Sequence, residues 1–488
     1  MINNRGSLRK QTMNGLIWMM SGSGIQSILQ FVVLIVLARL LDPESFGVIS
    51  AALVIITFVL ILSSLGFGPA LVQKKEISDK EIGTSYTVSL VLSLLFGAGV
   101  YFTAPYTAAF FDMNELIPVL QVLAFSLLFN SVGVVAESLI QRELKFNLIV
   151  RIQILSYLSY GIIGVVLAVM GAGVWALTFA YFSQIFVKSI LSLVLQPYQF
   201  RFLFDFTSLK NLFHFSLGYS LAKISAELSM QGDNLVVGRF LGAEALGFYS
   251  RAYQLMVMPA NLIGQVLEKV LFPAMSKIQD NHAKLAQVYR EGMRITTIFI
   301  LPSSIFLIMN AEKVILLLFG ENWLGLTEPF KVLAFVLLFR SAYKISDALV
   351  KAKGAVYKRA IIKAVYGGLV LLGAWAGHFY GLTGVAVGVS VAIVINYAVM
   401  MYLVASLINC SIPSILKAHG SGIILSVVTY LLLFLIERLY LLTDIHEYLE
   451  LVISGVLWGG AILLLLFLFS KFFIGIEQRK ILQLVKLS

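Results

Sequence analysis

The stretch ARLLDPESFG, residues 38–47, ends the first apolar segment of the chain and recurs in a second copy further on. Two hundred positions later, GRFLGAEALG, residues 238–247, ends another apolar segment. The two stretches coincide without a gap at Arg39/Arg239, Leu41/Leu241, Glu44/Glu244 and Gly47/Gly247. A helix–loop–helix junction that occurs twice at a fixed separation predicts an internally duplicated chain.

The composition indicates that this chain is an integral membrane protein. Of its 488 residues, 59% are hydrophobic and only 12% are charged, and apolar runs of about 20 residues recur along its whole length. These runs are continuous and do not alternate with period two, so they predict helices and exclude a membrane β-barrel. The net charge of +11 comes from Lys and Arg in short loops between the runs, where such cations set the orientation of the spans in the membrane. They do not form a separate basic domain, so the charge does not indicate a nucleic-acid partner.

About fourteen spans are predicted by the rule of roughly 20 apolar residues per transmembrane helix. Span 3 is expected to be interrupted at Pro105 and span 9 at Pro302. The predicted spans cover residues 14–38, 46–68, 85–111, 116–140, 148–170, 174–196, 213–241, 246–271, 288–310, 326–350, 359–379, 383–407, 415–439 and 448–473.

The charges of the connecting loops alternate along these fourteen spans. Basic clusters fall on one side, at residues 5–10, 74–80, 142–151, 201–210, 277–294, 351–363, 417 and 479–486. The opposite loops carry few cations and the acids Asp112, Glu115, Glu312, Glu321, Asp444, Glu447 and Glu450. Because positive loops stay in the cytoplasm, both termini are predicted to be cytoplasmic.

The internal repeat extends well beyond the first decapeptide. VLAFSLLFNS, residues 122–131, returns as VLAFVLLFRS, residues 332–341, which aligns Glu137 with Asp347. FGPALVQ, residues 67–73, similarly returns as LFPAMSK, residues 271–277. Six spans, an even number, separate the copies, so both repeats have the same orientation in the membrane.

The sequence predicts an all-α polytopic protein with a lobe at 1–205, a second at 206–410, and two further spans and a tail at 411–488. Two such lobes can alternate access to a central pathway.

The chemistry-bearing residues do not indicate an enzyme, a metal site or a cofactor. The single cysteine, Cys410, excludes an intrachain disulfide. The histidines have no metal-ligand spacing, and no nucleophile-elbow, Walker or zinc-protease motif occurs; they are His214, His282, His378, His419 and His446. A polytopic polysaccharide polymerase or ligase is the alternative enzyme. Such an enzyme is expected to carry a large extracytoplasmic loop, whereas the predicted loops on that side are short.

Residues 38–73 and 232–279 resemble the two most recognisable segments of bacterial polysaccharide exporters. These are the Wzx-type lipid-linked oligosaccharide flippases of the multidrug/oligosaccharidyl-lipid/polysaccharide exporter superfamily, and the resemblance is to the colanic-acid exporter branch. It implies alternating-access translocation of an undecaprenyl-pyrophosphate-linked repeat unit to the periplasmic leaflet of the inner membrane, for exopolysaccharide or lipopolysaccharide synthesis. The implied partners are that lipid, the bilayer and the polysaccharide polymerase machinery. A cation-coupled multidrug exporter of the same superfamily is the alternative.

Ionisable residues inside spans are costly, at least ~2.5–3.5 kcal/mol each at the bilayer centre, so they mark candidate sites. Span 7 places Lys223, Glu227, Gln231 and Asn234 on one helical stripe, with Asp233 beside it. A cavity wall and a self-satisfied Lys223–Glu227 pair are both compatible with this stripe. For a pyrophosphate the candidate ligands are Lys223, Arg251, Arg340 and Lys344. For sugars they are Gln26, Gln30, Asn130, Asn234, Tyr219, Tyr253 and Asn261.

The acids raise the question of energy coupling. Glu227 and Asp233 are candidates for binding a proton or Na⁺. No coupled ion is required, however, because moving two negative charges outward gains about 4.6 kcal/mol per 100 mV. Asp347 and its copy Glu137 lie near the predicted cytoplasmic ends of their spans, where an interfacial, solvated position competes with a substrate role.

The repeated arginines have a structural interpretation. Arg39 and Arg239 end their spans, where a cation meets exposed carbonyls and the negative end of the helix dipole. Glu44 and Glu244 follow within ion-pair reach along the chain. A structural role suits both copies equally, whereas an asymmetric substrate would need only one of the two arginines. These four residues are therefore predicted to stabilise the periplasmic gate of each lobe, as braces, without contacting the substrate.

Overall fold

The structure is a computed structural model that describes residues 3–196, 202–440 and 447–469. Every regular element in these ranges is helical, which confirms the predicted all-α fold class. The basic cluster at residues 479–486 lies outside the described residues, as do Arg201, Asp444 and His446. The chain divides into two compact units, Met1–Ser250 and Arg251–Ser488.

In residues 3–196 and 202–250, the first unit contains seven helices and the first part of an eighth. They are α1 (Asn3–Leu40), α2 (Pro43–Ser64), α3 (Phe67–Gln73), α4 (Asp79–Phe111), α5 (Leu116–Arg142), α6 (Phe146–Val169), α7 (Val174–Leu195) and α8 (Phe206–Lys277). The helix α8 contains a non-helical residue, Gly242, with φ 86° and ψ −177°, a conformation open to glycine and costly for other residues. This bend separates predicted spans 7 and 8.

The described part of the second unit contains the remainder of α8 and nine further helices. They are α9 (His282–Met309), α10 (Ala311–Leu318), α11 (Thr327–Phe335), α12 (Leu337–Ala352), α13 (Val356–Gly377), α14 (Gly381–Leu407), α15 (Ile412–Lys417), α16 (Gly420–Tyr440) and α17 (Glu447–Leu468). Two short 3-10 helices, Glu321–Leu326 and His378–Tyr380, link α10 to α11 and α13 to α14. The helix α16 packs on α9, and α17 packs on α16.

Each of the fourteen predicted spans is helical over most of its described part, with short breaks at residues 65–66, 336 and 418–419. Ten stretches of the described chain are long and apolar enough to cross a membrane, and one of them, Val356–Leu407, contains both α13 and α14. The helices α8, α11 and α12 lie outside these ten stretches. Of these three, α8 and α12 carry the ionisable candidates Lys223, Glu227, Asp233, Arg340 and Lys344.

The predicted interruptions at Pro105 and Pro302 were wrong. Pro105 lies inside the continuous helix α4, and Pro302 lies inside α9. A proline removes one backbone hydrogen bond, yet in a bilayer the remaining polar groups can be satisfied only by keeping the helix, often with help from Ser and Thr. In the turns beside the prolines, the Thr103 hydroxyl donates to the Gly99 carbonyl at 2.6 Å and the Ser304 hydroxyl donates to the Ile300 carbonyl at 3.0 Å. The carbonyls that lose their helical donor are those of Tyr101 and Ile298.

Side-chain caps define where α2 and α4 begin. The Asp42 carboxylate accepts from the Ser45 backbone N–H at 2.6 Å, and Pro43 occupies the first turn of α2. Ser78 and Glu81 form a reciprocal capping box at the start of α4. Both helix starts therefore follow from local sequence, because each cap satisfies N–H groups that the helix itself leaves without partners.

Within each unit, loops predicted to share one side of the membrane meet. In the first unit, Arg142 at the end of α5 donates to the Leu71 and Lys75 carbonyls, each at 2.6 Å, near the end of α3. In the second unit, Lys353 after α12 donates to the Gln279 carbonyl at 3.0 Å, just after α8. These contacts agree with the alternation of basic loops, while the direction of insertion remains a prediction.

Candidate substrate site and repeat junction

The two copies of the repeated decapeptide touch each other inside the first unit. A Cβ atom on Gly47 would overlap the Ala243 carbonyl, and a Cβ atom on Gly247 would overlap the Pro43 carbonyl. One turn further on, the Ser50 and Ser250 hydroxyls are 3.2 Å apart. The contact is reciprocal, since each glycine faces the same position of the other copy. The start of α2 and the α8 segment after Gly242 therefore cross with backbone against backbone, and only glycine fits at the crossing.

The four predicted brace residues surround this crossing on exposed positions. Arg39, Glu44, Arg239 and Glu244 are all exposed. The Arg239 guanidinium lies over the Phe110 ring, 5.4 Å from its centroid, near the end of α4. This cation–π contact joins α8 to α4, within the first unit. The proposed pairing of each arginine with the downstream glutamate remains a prediction.

The polar stripe of α8 contains a buried acid. Asp233 is 2% exposed and accepts from the hydroxyl of the fully buried Tyr249 at 2.8 Å. Beside it the Asn234 amide donates to the Gln231 side-chain oxygen at 2.6 Å, which places these two residues on one face as predicted. Asp233 thus pairs with a neutral hydroxyl across the Gly242 bend, and Tyr249 was not among the candidates.

The other polar candidates of the first unit are distributed over three helices. Lys223 is exposed and Glu227 half-buried on α8. Gln26 and Gln30 are half-buried on α1, and Asn130 is half-buried on α5. These positions are compatible with a polar wall, and the assignment of each residue to the substrate remains a prediction.

One cationic candidate of the second unit, Arg340, contacts two aromatic side chains. Arg340 on α12 donates to the Tyr366 hydroxyl of α13 at 3.0 Å, and its guanidinium lies 5.2 Å from the centroid of the Tyr253 ring. One helical turn along α12, Lys344 donates to the Ala260 carbonyl at 3.0 Å. The structure therefore brings together Arg340, Lys344 and Tyr253, all predicted candidates, and adds Tyr366. No signal in the sequence distinguished Tyr366 from other tyrosines in spans.

Local backbone geometry positions this cluster. Predicted span 10 is divided at Val336, which separates α11 from α12 four residues before Arg340. Arg251, the remaining cationic candidate, is half-buried and donates to the Gln254 side-chain oxygen at 2.6 Å. The side chain of Asn261 lies outside the described residues. Among the described residues, no three His, Cys, Asp or Glu side chains are grouped so that they could hold a metal ion.

The aligned acids Glu137 and Asp347 are held by ion pairs. Glu137 on α5 pairs with Lys188 on α7 at 2.7 Å. Asp347 on α12 is 5% exposed and pairs with Arg359 and, at 2.9 Å, with Lys351. Asp347 is therefore buried and ion-paired, so the expected solvated position does not describe it, whereas its depth in the membrane stays a prediction.

Known proteins share both the sequence pattern and the fold. A family model described as polysaccharide biosynthesis protein matches residues 36–328. The teichuronic acid biosynthesis protein TuaB of Bacillus subtilis is 25% identical over 84% of this chain and 85% of its own length. The lipopolysaccharide biosynthesis protein WzxC of Escherichia coli is 28% identical over 80% of each chain.

Two solved structures show the fold. The lipid II flippase MurJ in an inward closed conformation superposes with a TM-score of 0.75 over 95% of this chain and 99% of that protein, at 17% identity. An inward-facing multidrug resistance transporter of the MATE family gives a TM-score of 0.61 over 79% of this chain and 96% of that protein, at 19% identity. The family model covers well over half of the 488 residues, and the chain therefore belongs to this family of polysaccharide biosynthesis proteins.

Proposed function

We propose that this protein is a flippase that moves an undecaprenyl-pyrophosphate-linked oligosaccharide repeat unit from the cytoplasmic to the periplasmic leaflet. The observation that carries the proposal is the family membership over residues 36–328, joined to a fold shared with a lipid II flippase. The product would enter exopolysaccharide or lipopolysaccharide synthesis. The protein would act as a transporter in the bacterial inner membrane, with both termini in the cytoplasm, and would deliver its cargo to the polymerase machinery.

The cation–aromatic cluster of the second unit fits the chemistry of this cargo. A pyrophosphate loses its hydration shell on entering the membrane interior, and an arginine can replace that water with two parallel charge-assisted hydrogen bonds. Arg340 is oriented by the Tyr366 hydroxyl and the Tyr253 ring, so its planar fork is held in place before substrate arrives. The tyrosine rings offer the faces against which sugars pack. Lys344 adds a second cation one turn away.

A cation-coupled multidrug exporter is the second candidate, favoured by the structural likeness to a MATE transporter. The same cluster argues against it, because Arg340 and Lys344 would repel the lipophilic cations that such exporters often carry. The two functions also differ in what accumulates when the protein is missing. Loss of a flippase traps a lipid-linked sugar on the cytoplasmic leaflet, whereas loss of a drug exporter traps a drug in the cell.

The test is deletion of the gene in its host, followed by extraction of the lipid-linked intermediates. We expect the complete repeat unit on its polyprenyl pyrophosphate to accumulate on the cytoplasmic leaflet, with loss of the surface polysaccharide. Wild-type protein should restore export, and Arg340→Ala at equal abundance should not. A deletion strain with normal polysaccharide and increased sensitivity to cationic drugs would overturn the proposal in favour of the multidrug exporter.

A further inference from the structure

The helix pair α16–α17 follows the second predicted lobe, and its contacts show how it is attached to α9 and α10. The outer surface of α17 is apolar, since Val456, Leu463 and Phe467 are exposed. Apolar surface alone does not hold a membrane helix against its neighbours, because lipid tails are as apolar as leucine. Close backbone packing, hydrogen bonds, ion pairs and aromatic contacts therefore decide how firmly this pair is held.

His419, the residue immediately before α16, connects this helix to α9 and α14. It is 8% exposed, its Nδ1 lies 2.6 Å from the Thr297 hydroxyl of α9, and its Nε2 lies 3.1 Å from the Tyr397 hydroxyl of α14. The single Thr297 hydroxyl proton is donated to the Met293 carbonyl at 2.7 Å, so Nδ1 is the donor to Thr297. A neutral imidazole then accepts from Tyr397 at Nε2, and every polar proton of this bridge has a partner.

Backbone packing holds the same end of α16. A Cβ atom on Gly422 would lie 2.6 Å from the Thr297 carbonyl, so α16 and α9 cross there at close approach. Seven residues earlier on α9, Arg290 donates to the Ser414 hydroxyl of α15 at 3.2 Å. The start of α16 is therefore fixed by packing and by hydrogen bonds. Beyond the crossing, buried side chains of α9, α16 and α17 form one apolar cluster, Ile298, Leu425, Ile462 and Leu466.

A second group of contacts holds α17. The Trp458 ring stacks on the Phe306 ring of α9, with centroids 4.7 Å apart and planes at 25°. The Trp458 indole N–H also donates to the Thr429 hydroxyl of α16 at 3.2 Å. Near the start of α17, Glu450 pairs with Lys313 of α10 at 2.5 Å. Both ends of α17 consequently have neighbours to which specific side chains connect it.

These contacts extend over most of the thickness of a membrane. Arg290, Thr297 and Phe306 span 16 residues of α9, a rise of about 24 Å, while the hydrocarbon core of a bilayer is about 30 Å thick. The pair of Lys313 and Glu450 lies beyond the end of α9. A helix attached at one end can pivot, whereas a pair attached at both ends moves only if buried polar contacts break.

We propose that α16–α17 is a fixed part of the second unit, which moves together with α9 and α10 throughout the transport cycle and never opens against them. His419 is the positioning residue that fixes the start of α16. The inference rests on the alternating access of the proposed function and applies to any cargo. One consequence is that a lipid-linked cargo enters by a route other than the seam between α9 and α16.

The experiment locks each end of the seam in a Cys410→Ala background. Lys313→Cys/Glu450→Cys joins α10 to α17, and Arg290→Cys/Ser414→Cys joins α9 to α15, each linked by a short bismaleimide in the purified protein. Flipping of a fluorescent sugar linked to undecaprenyl pyrophosphate is then measured in vesicles. We expect both locked proteins to work within about twofold of the same variants before linkage, because a rigid body needs no movement at its internal seams. Lys313→Cys alone, treated with the same reagent, is the matched control.

A lock that stops flipping while the single-cysteine control stays active would overturn the proposal. The linking reaction itself is independent of cargo: cysteines that remain together should link completely in one kinetic phase. A second, slow phase would reveal a state in which the helix pair has moved away, and would equally overturn the proposal. This measure decides the inference even if the wild type does not flip the lipid, an outcome that would contradict the proposed function alone.

The role of His419 is tested by thermal unfolding in detergent. We expect His419→Leu to lower the unfolding temperature, and His419→Gln, which keeps a donor and an acceptor, to recover much of the loss. Closing the Arg290→Cys/Ser414→Cys lock should also recover the stability of His419→Leu. His214→Leu is the control, because His214 is exposed on α8. Equal unfolding temperatures for His419→Leu and His214→Leu, or no recovery by either route, would remove His419 as the anchor of α16.

Discussion

Arg340 makes two contacts that depend on the shape of a guanidinium. It donates to the Tyr366 hydroxyl at 3.0 Å, and its guanidinium carbon lies 5.2 Å from the centroid of the Tyr253 ring. A lysine offers a point charge on a flexible stem and cannot reproduce a planar fork that stacks and binds phosphate bidentately.

We expect Arg340→Lys to reduce export by about tenfold at unchanged protein abundance, and Arg340→Ala to reduce it further. The measurement is the amount of surface polysaccharide made by a deletion strain that carries each variant. Arg438→Lys is the matched control, because Arg438 on α16 lies over the Phe434 ring at 5.3 Å and is not a site candidate. Wild-type export by Arg340→Ala would remove this residue from the site.

Gly47 and Gly247 are needed for space, because the other copy's backbone carbonyl occupies the position of a side chain. We expect Gly47→Ala to lower the free energy of unfolding by about 1–3 kcal/mol, the cost of overpacking against atoms that cannot move away. Thermal unfolding in detergent measures this loss. Gly99→Ala is the control, because a Cβ on Gly99 meets nothing within 4 Å. Equal unfolding temperatures for the two variants would contradict the backbone crossing.

For individual residues, the sequence predicted which positions matter better than it predicted which residues they contact. The repeat exposed Gly47 and Gly247 as equivalent positions, but nothing in the pattern indicated that the two copies touch each other. Arg340 and Lys344 could be predicted because charge inside an apolar span is costly. Tyr366 and Tyr249 could not be predicted, because placing a tyrosine in a membrane helix does not carry the free-energy cost of placing a charge there. Their hydrogen-bond partners are also fixed by tertiary packing, which the sequence pattern does not reveal.

At the scale of helices, the crossing of α2 with α8 offers a direct test of movement. Ser50 and Ser250 lie with their hydroxyls 3.2 Å apart, close enough for a disulfide after substitution by cysteine. If this crossing opens during alternating access, Ser50→Cys/Ser250→Cys in a Cys410→Ala background should lose export on oxidation and regain it on reduction. Oxidised Ser50→Cys alone should export normally. Full export by the cross-linked protein would show that the crossing stays closed throughout the cycle.

Helix positions followed from hydropathy, because a bilayer forces backbone groups into internal hydrogen bonds. The same constraint explains why Pro105 and Pro302 do not interrupt α4 and α9, where rules taken from soluble helices predicted a break. The division of span 10 at Val336 was not predicted, since neither proline nor glycine marks it. The capping residues Asp42 and Ser78 mark where α2 and α4 begin more closely than hydropathy does.

For the whole molecule, the alternating charges predict which loops face the cytoplasm. In a Cys410→Ala background, cysteines at Glu76 and Asp280 should be shielded from a membrane-impermeant thiol reagent in intact cells. Cysteines at Asn114 and Glu321 should be labelled. All four positions are exposed, so a difference in labelling reports the side of the membrane and not burial. Labelling of Glu76→Cys from outside would reverse the orientation and, with it, the direction of export.

The most direct measurement of the central claim uses the purified protein in vesicles that contain a fluorescent sugar linked to undecaprenyl pyrophosphate. A membrane-impermeant reductant destroys only the fluorophores in the outer leaflet. Vesicles without protein should keep about half of their fluorescence, because the lipid cannot cross by itself. We expect wild-type protein to make nearly all of the fluorophore accessible and Arg340→Ala to stay close to protein-free vesicles. Wild-type protein that leaves half of the fluorescence protected would contradict the assignment as a flippase.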